Sequence, residues 1–161
     1  MSTYNGTLPT LLSGLIAPGS DWAEIVNALH AIADARSTYV PAWSSAGTQP
    51  AIGNGAVAGQ YLRVGKFWVV SIQLTAGSTT TYGTGQYYLS LPPGLTAAKA
   101  WATGSCRLLD SGTANKSGTV FVFSTLDKVA MCQNTADVTA TTPHTMATGD
   151  QIEVDIVVEG I

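Results

Sequence analysis

The sequence predicts an all-β protein, an antiparallel β-sandwich or jelly-roll-like domain behind an extended arm and a short α-helix. Three observations predict it. Beyond residue 40, apolar and polar residues alternate with a period of two, most plainly at Ile152, Val154, Ile156 and Val158. Gly, Pro and Asn clusters break the chain at short intervals between these stretches. No helical pattern separates one strand candidate from the next, which disfavours a parallel α/β sheet.

The N-terminal part reads differently. Residues 1–20 carry Gly6, Pro9, Gly14, Pro18 and Gly19 and little periodicity, so an extended arm is expected. Over residues 21–36, Asp21 and Glu24 form a capping pattern with acids at the favourable end of the helix dipole. Trp22, Ile25, Leu29 and Ile32 then recur at steps of three, four and three, an a/d seam of about two heptads. A helix this short is marginal alone in water. Its stripe must dock on its own domain or on sister helices, in a dimeric or trimeric coiled coil. Pro41 forbids continuation of the helix. The expected division is 1–38, arm and helix for anchoring and oligomerisation, and 39–161, the β domain.

Within the β domain a piece near Tyr39 to Trp43 comes first, and Gly53-Asn54-Gly55 marks a turn. Val57 to Val64 and Phe67 to Thr75 form a hairpin around Gly65-Lys66, with Trp68, Val70, Ile72 and Leu74 on one face. Gln86 to Leu91 presents Tyr87, Leu89 and Leu91 on one side and stops at Pro92-Pro93-Gly94. Ala100 to Leu109, Thr119 to Ser124 and Lys128 to Gln133 follow, with a polar turn region over Asp110 to Gly118 and a Thr-rich loop over Asn134 to Gly149. With the final strand this makes about eight strands, the pattern of a sandwich or jelly roll.

Composition excludes several functions. Charged residues are 11% of the 161-residue chain, against roughly 25% in ordinary domains. Ser, Thr, Gly and Ala fill the gap, so the surface is solvated by hydroxyls and backbone, or is buried against further copies. The net charge is −3, and Arg36, Arg63, Lys66, Lys99, Arg107, Lys116 and Lys128 are scattered singly. Nucleic acid, which needs clustered cations, is not an expected partner. No apolar run reaches the roughly 18 residues that span a bilayer, and no basic amphipathic stretch suits a membrane surface. Met1 to Ser20 lacks a positive n-region, so no secretory signal is expected. Asn5-Gly6-Thr7 and Asn115-Lys116-Ser117 are accordingly read as chance sequons. Cys106 and Cys132 are expected as buried thiols, with one disulfide left open.

Catalytic machinery is not visible. His30 lies off the a/d seam and His144 sits in a long loop, with no nucleophile motif near either. The two histidines and two cysteines form no metal-ligand pair. Asp110, Asp127, Asp137 and Asp150 each lie near a turn, where Asp usually binds backbone N–H groups. Glu153, Asp155 and Glu159 share one strand face, which suits a solvated surface better than facing glycosidase carboxylates. No phosphate loop, cofactor motif or metal site is expected. Sugar binding needs only aromatic platforms and a few polar groups, and Tyr82, Tyr87, Tyr88 and Trp101 are the candidates.

Several stretches carry a resemblance. They include Val40-Pro41-Ala42-Trp43-Ser44-Ser45, Gly59-Gln60-Tyr61-Leu62-Arg63-Val64-Gly65-Lys66, Leu89-Ser90-Leu91-Pro92, Asp110-Ser111-Gly112-Thr113, Pro143-His144-Thr145 and Ala147-Thr148-Gly149-Asp150-Gln151-Ile152. Together, over residues 40–161, they resemble a β-rich module of virion proteins from phages and prophages of actinobacteria. Such modules occur in minor tail or fibre proteins and in small head-surface proteins. The resemblance implies an outward-facing sandwich, often trimeric, held by an N-terminal anchor. It supplies no catalytic residues. It implies a location on the virion surface and partners among capsid or tail proteins, reached through residues 1–38. Capsid decoration is the leading expectation. A tail-tip protein that binds host glycans is the alternative.

Overall fold

The computed structural model describes residues Arg36–Ile161, which form one compact unit. The expected helix with Trp22, Ile25, His30, Leu29 and Ile32 lies outside the described residues. The described chain is all-β. Its strands are β1 (Ser37–Tyr39), β2 (Trp43–Ser45), β3 (Ala56–Val64), β4 (Phe67–Thr75), β5 (Tyr87–Ser90), β6 (Thr103–Asp110), β7 (Ala114–Val122), β8 (Lys128–Gln133), β9 (Ala136–Asp137) and β10 (Gln151–Glu159). Every strand pairing is antiparallel.

One hydrogen-bonded path joins them in the order β1-β3-β4-β10-β6-β7-β8-β5-β2, with β9 added to β8. The path curls into a half-barrel. Chain connectivity requires that curvature. β1 and β2 end opposite sides of the path, yet only Val40, Pro41 and Ala42 separate them. Four residue steps span no more than about 15 Å. The two edges must therefore approach each other. Hydrogen bonds hold them there: Tyr39 Oη donates to the Ser90 carbonyl at 3.2 Å, and Ser90 N donates to the Ala42 carbonyl at 3.0 Å.

The concave side holds the core. Trp68, Val70, Ile72 and Leu74 of β4 and Ile152, Val154, Ile156 and Val158 of β10 are buried in it. They join Cys106 and Leu108 of β6, Val120 and Val122 of β7, Val129 and Met131 of β8, and Tyr87 and Leu89 of β5 in one cluster. Burying each large aliphatic side chain contributes about 1.5–3 kcal/mol. The β3–β4 hairpin turns where the sequence places it, because Gly65 takes the left-handed conformation (φ 61°) that a side chain resists.

The strand boundaries differ from expectation in one place. Asp110 to Gly118 is mostly strand: only Ser111 to Thr113 turn, and β7 starts at Ala114. Asn115, Lys116 and Ser117 carry no apolar alternation, but β6 pairs with them along its whole length. The sequon at Asn115 is therefore part of a ladder.

The cysteines are free. The register gives the reason. Cys106 lies opposite Gly118, whereas Cys132 lies opposite the next residue, Thr119. A one-residue offset puts two side chains on opposite faces of a sheet. Cys106 packs in the core, and Cys132 packs beside the convex-side cluster of Tyr88, Phe121 and Ala130. The Cys106 sulfur takes the space a side chain at Gly118 would need, since a Cβ there would lie 2.9 Å from Sγ. Burial pushes the Cys106 thiol up to about 11.

Candidate functional site

The convex face carries the candidate site. Cross-strand register gives its layout, because residues directly opposite each other project to the same side. Tyr88, Ala130, Phe121 and Thr103 form one row across β5, β8, β7 and β6. Ser105 and Asp155 form the next part of the face, with Ser71 and Gln60 beyond on β4 and β3. Gln73, Glu153 and Arg107 make a parallel row.

The aromatic end is centred on Trp101. It is 67% exposed, and its ring stacks on Phe121 with centroids 4.9 Å apart and planes 16° from parallel. One indole face is therefore covered and the other is open. Its backbone sits at φ 66°, a left-handed conformation that a bulky residue rarely adopts. The chain is held there by the Trp101 N–H, which donates to the Val122 carbonyl at 3.0 Å. Nearby, Tyr88 packs against Phe123 at 4.7 Å, and the Lys128 ammonium lies 4.1 Å from the Tyr88 ring centre. Burial, then the charge of Asp137, raises the Tyr88 hydroxyl above its ordinary range.

Two shallow hollows continue from the aromatic end. One, of about 250 Å³, is lined by Thr103, Ser105, Asp155, Val157 and Val69 among others. The second, of about 260 Å³, is lined by Gln60, Ser71, Gln73, Glu153 and Asp155 among others. Asp155 belongs to both. Its Oδ1 accepts from Ser71 Oγ at 2.6 Å, and Ser71 Oγ accepts from Arg36 Nη1 at 2.9 Å. Arg107 binds Glu153 through two parallel hydrogen bonds of 2.7 and 2.9 Å. Those bonds first, and the guanidinium charge second, hold the Glu153 carboxyl below the usual carboxylate range. Gln73 Nε2 donates to the same carboxylate at 3.1 Å.

The structure thus brings two of the four sequence candidates, Tyr88 and Trp101, to one face and separates the others. Tyr87 is fully buried in the core, where it meets Trp43 edge-on at 5.2 Å and donates its hydroxyl to the Tyr82 carbonyl at 2.7 Å. Strand alternation sends adjacent residues to opposite faces, so Tyr87 and Tyr88 cannot share a platform. Tyr82 packs half-buried against the core cluster. Sequence reasoning passed over Phe121, Phe123, Thr103 and Ser105. The two-residue spacing of Phe121 and Phe123 beside buried Val120 and Val122 was the available signal.

His144 and the loop acids are placed elsewhere. The His144 side chain is sealed from solvent, with Nε2 3.3 Å from Asp150 Oδ2. Asp150 is itself buried and accepts backbone N–H bonds from Ser111 at 2.8 Å and Ala147 at 2.7 Å. The Asp150 bonds pin the long loop before β10, while neither His144 ring nitrogen has a hydrogen-bond partner among the described residues. Asp137 accepts from Gln86, and Asp127 accepts from Thr125. Among the described residues, no group of three or more His, Cys, Asp or Glu is arranged to hold a metal ion. Also among the described residues, no helix is long and apolar enough to cross a membrane. In comparisons with known proteins, the chain matches no family model, no curated protein and no solved structure.

Proposed function

We propose that this chain is a non-catalytic structural protein displayed on the surface of a bacteriophage particle, and that it decorates the head. In this reading residues 1–38 anchor and trimerise it, and the curled sheet is a sandwich- or jelly-roll-like head facing outward. The observation that carries the reading is that Arg36–Ile161 is a compact unit around one enclosed core, the form suited to display by a separate attachment segment. The resemblance of residues 40–161 and the hydroxyl-rich, weakly charged composition support it. Gold labelling of the protein on intact particles, viewed by electron microscopy, tests it. Label over the head is expected, and particles without label overturn it. If the Trp22, Ile25, Leu29 and Ile32 seam joins copies, Leu29→Asp converts trimers to monomers by light scattering. Unchanged trimers would remove the seam from the interface.

The open indole face of Trp101 favours a second reading, a tail-tip protein that recognises host glycans. Label confined to the tail tip selects it.

A further inference from the structure

We propose that the convex face, from Trp101 across Asp155 to Gln73, is a binding track for a neutral oligosaccharide of at least two pyranose units. The inference rests on the recognition reading, but not on where the chain sits on a particle. Its basis is one continuous sequence of chemistries. Trp101 offers a flat ring, held parallel to Phe121 and open on its other side. One face of a pyranose is lined by C–H groups whose partial positive charge suits the negative face of an indole. Phe121 lies directly opposite Thr103, so the platform is one strand spacing from the first hollow.

That hollow combines two apolar side chains, Val69 and Val157, with the hydroxyls of Thr103 and Ser105 and the Asp155 carboxylate. Sugars present the same mixture, with apolar ring faces and a rim of hydroxyls. The second hollow offers Gln60 and Gln73, whose amides both donate and accept, together with Ser71 and Glu153. Asp155 stands between the two. One of its oxygens is engaged by Ser71, which leaves the other to accept from a sugar hydroxyl.

The charges set the ligand class. Both carboxylates that line the track, Asp155 and Glu153, would repel a uronate or sialate. Arg107 is the nearest cation on that row, and both of its bonds to Glu153 are already made. Arg36 lies outside the lining of both hollows and donates to Ser71 Oγ, which in turn donates to Asp155. Two carboxylates and no cation line the hollows, so a neutral glycan is favoured over an acidic one.

The experiment titrates the full chain with a panel of neutral di- and trisaccharides built on glucose, galactose and mannose. Matched sugars carrying a uronate or sialate are run in parallel, and tryptophan fluorescence and saturation-transfer NMR report binding. Saturable binding of a neutral member is expected, at least about tenfold tighter than its acidic counterpart. Trp101→Gly should lose binding by a similar factor. It relieves the left-handed backbone at that position, so its thermal midpoint should stay close to that of the parent, which separates lost recognition from lost folding. Asp155→Asn should narrow the gap between neutral and acidic sugars. Absence of binding by every neutral member at millimolar concentration overturns the proposal. So does full affinity in Trp101→Gly, or a preference for the acidic set. None of these results bears on head or tail location, which the gold label reads independently.

Discussion

The two halves of the sheet are built on different rules. Along β4 and β10, every second residue is buried, and the outward middle is polar, with Ser71, Gln73, Glu153 and Asp155, while Phe67, Val69 and Val157 stand singly toward one end without forming a buried cluster. Along β7 and β8, Val120, Phe121 and Val122 are all buried, as are Val129, Ala130 and Met131. The second half therefore supports apolar groups on both faces, and its convex side holds a separate cluster of Tyr88, Phe121 and Ala130. In an antiparallel sheet with one wet side, polar residues outside are the default. A second apolar cluster outside, lidded by an exposed tryptophan, marks the half that departs from it.

That contrast can be broken by mutation. On the concave side the halves should behave alike. Leu108→Ala, at a fully buried site, is expected to cost about 2–5 kcal/mol in urea unfolding. On the convex side they should part. Phe121→Ala is expected to cost about 3 kcal/mol, because it empties the cluster under Trp101. Gln73→Ala, at an equivalent outward position of β4, should stay within about 0.5 kcal/mol. Equal costs at the two sites would show that the aromatic half is not a second core.

A smaller test uses adjacent tyrosines on opposite faces. Tyr87→Phe removes a buried 2.7 Å hydrogen bond to the Tyr82 carbonyl and is expected to cost about 1 kcal/mol. Tyr88→Phe loses only a 3.2 Å bond to the side chain of Gln86 and should be close to neutral in the same thermal melts. If the order reverses, the assignment of the inner and outer faces of β5 fails.

The smallest expected effect sharpens the polar half. Arg107 lowers the folded-state pKa of Glu153 from its ordinary 4.5. A lowered pKa favours folding at pH above the ordinary value, and the contribution disappears as pH falls through the folded value. Acid unfolding of the parent should therefore steepen below pH 4.5 relative to Glu153→Gln. The pair is partly exposed, so the difference should be slight and should fade in high salt. An identical acid limb at low salt would mean that the bidentate pair does not persist in solution.

Much of the fold was legible because its signals are local. The Gly65-Lys66 turn, the inward faces of β4 and β10, and the span Lys128–Gln133 all follow from period-two alternation and turn residues. The start of β7 was not legible, since Asn115, Lys116, Ser117 and Gly118 read as a turn and are held as strand by neighbours far away in sequence. The site was half legible for the same reason. Alternation within Gln86 to Leu91 already assigns Tyr87 inward and Tyr88 outward. Nothing local says that β5, β8, β7 and β6 become neighbours, which is what gathers Tyr88, Phe123, Phe121 and Trp101 on one surface. Strand count and turn spacing predict an all-β antiparallel fold, and the hydrogen bonds realise it as one curled path, whose closure depends on pairings far apart in sequence.

The last strand in the sequence, β10, occupies the middle of the sheet, paired with β4 along nine positions and with β6 along five. During synthesis the ribosome delivers β4 and β6 long before the strand that must lie between them. Each waits with one strand edge unpaired until Gln151–Glu159 emerges. A chain lacking residues 151–159 would leave β4 and β6 without their shared partner, with the two halves meeting around Tyr39, Ala42 and Ser90 but open in the middle of the sheet. A chain cut short before Gln151–Glu159 cannot close this sheet, and such products should be left to the proteases of the cell.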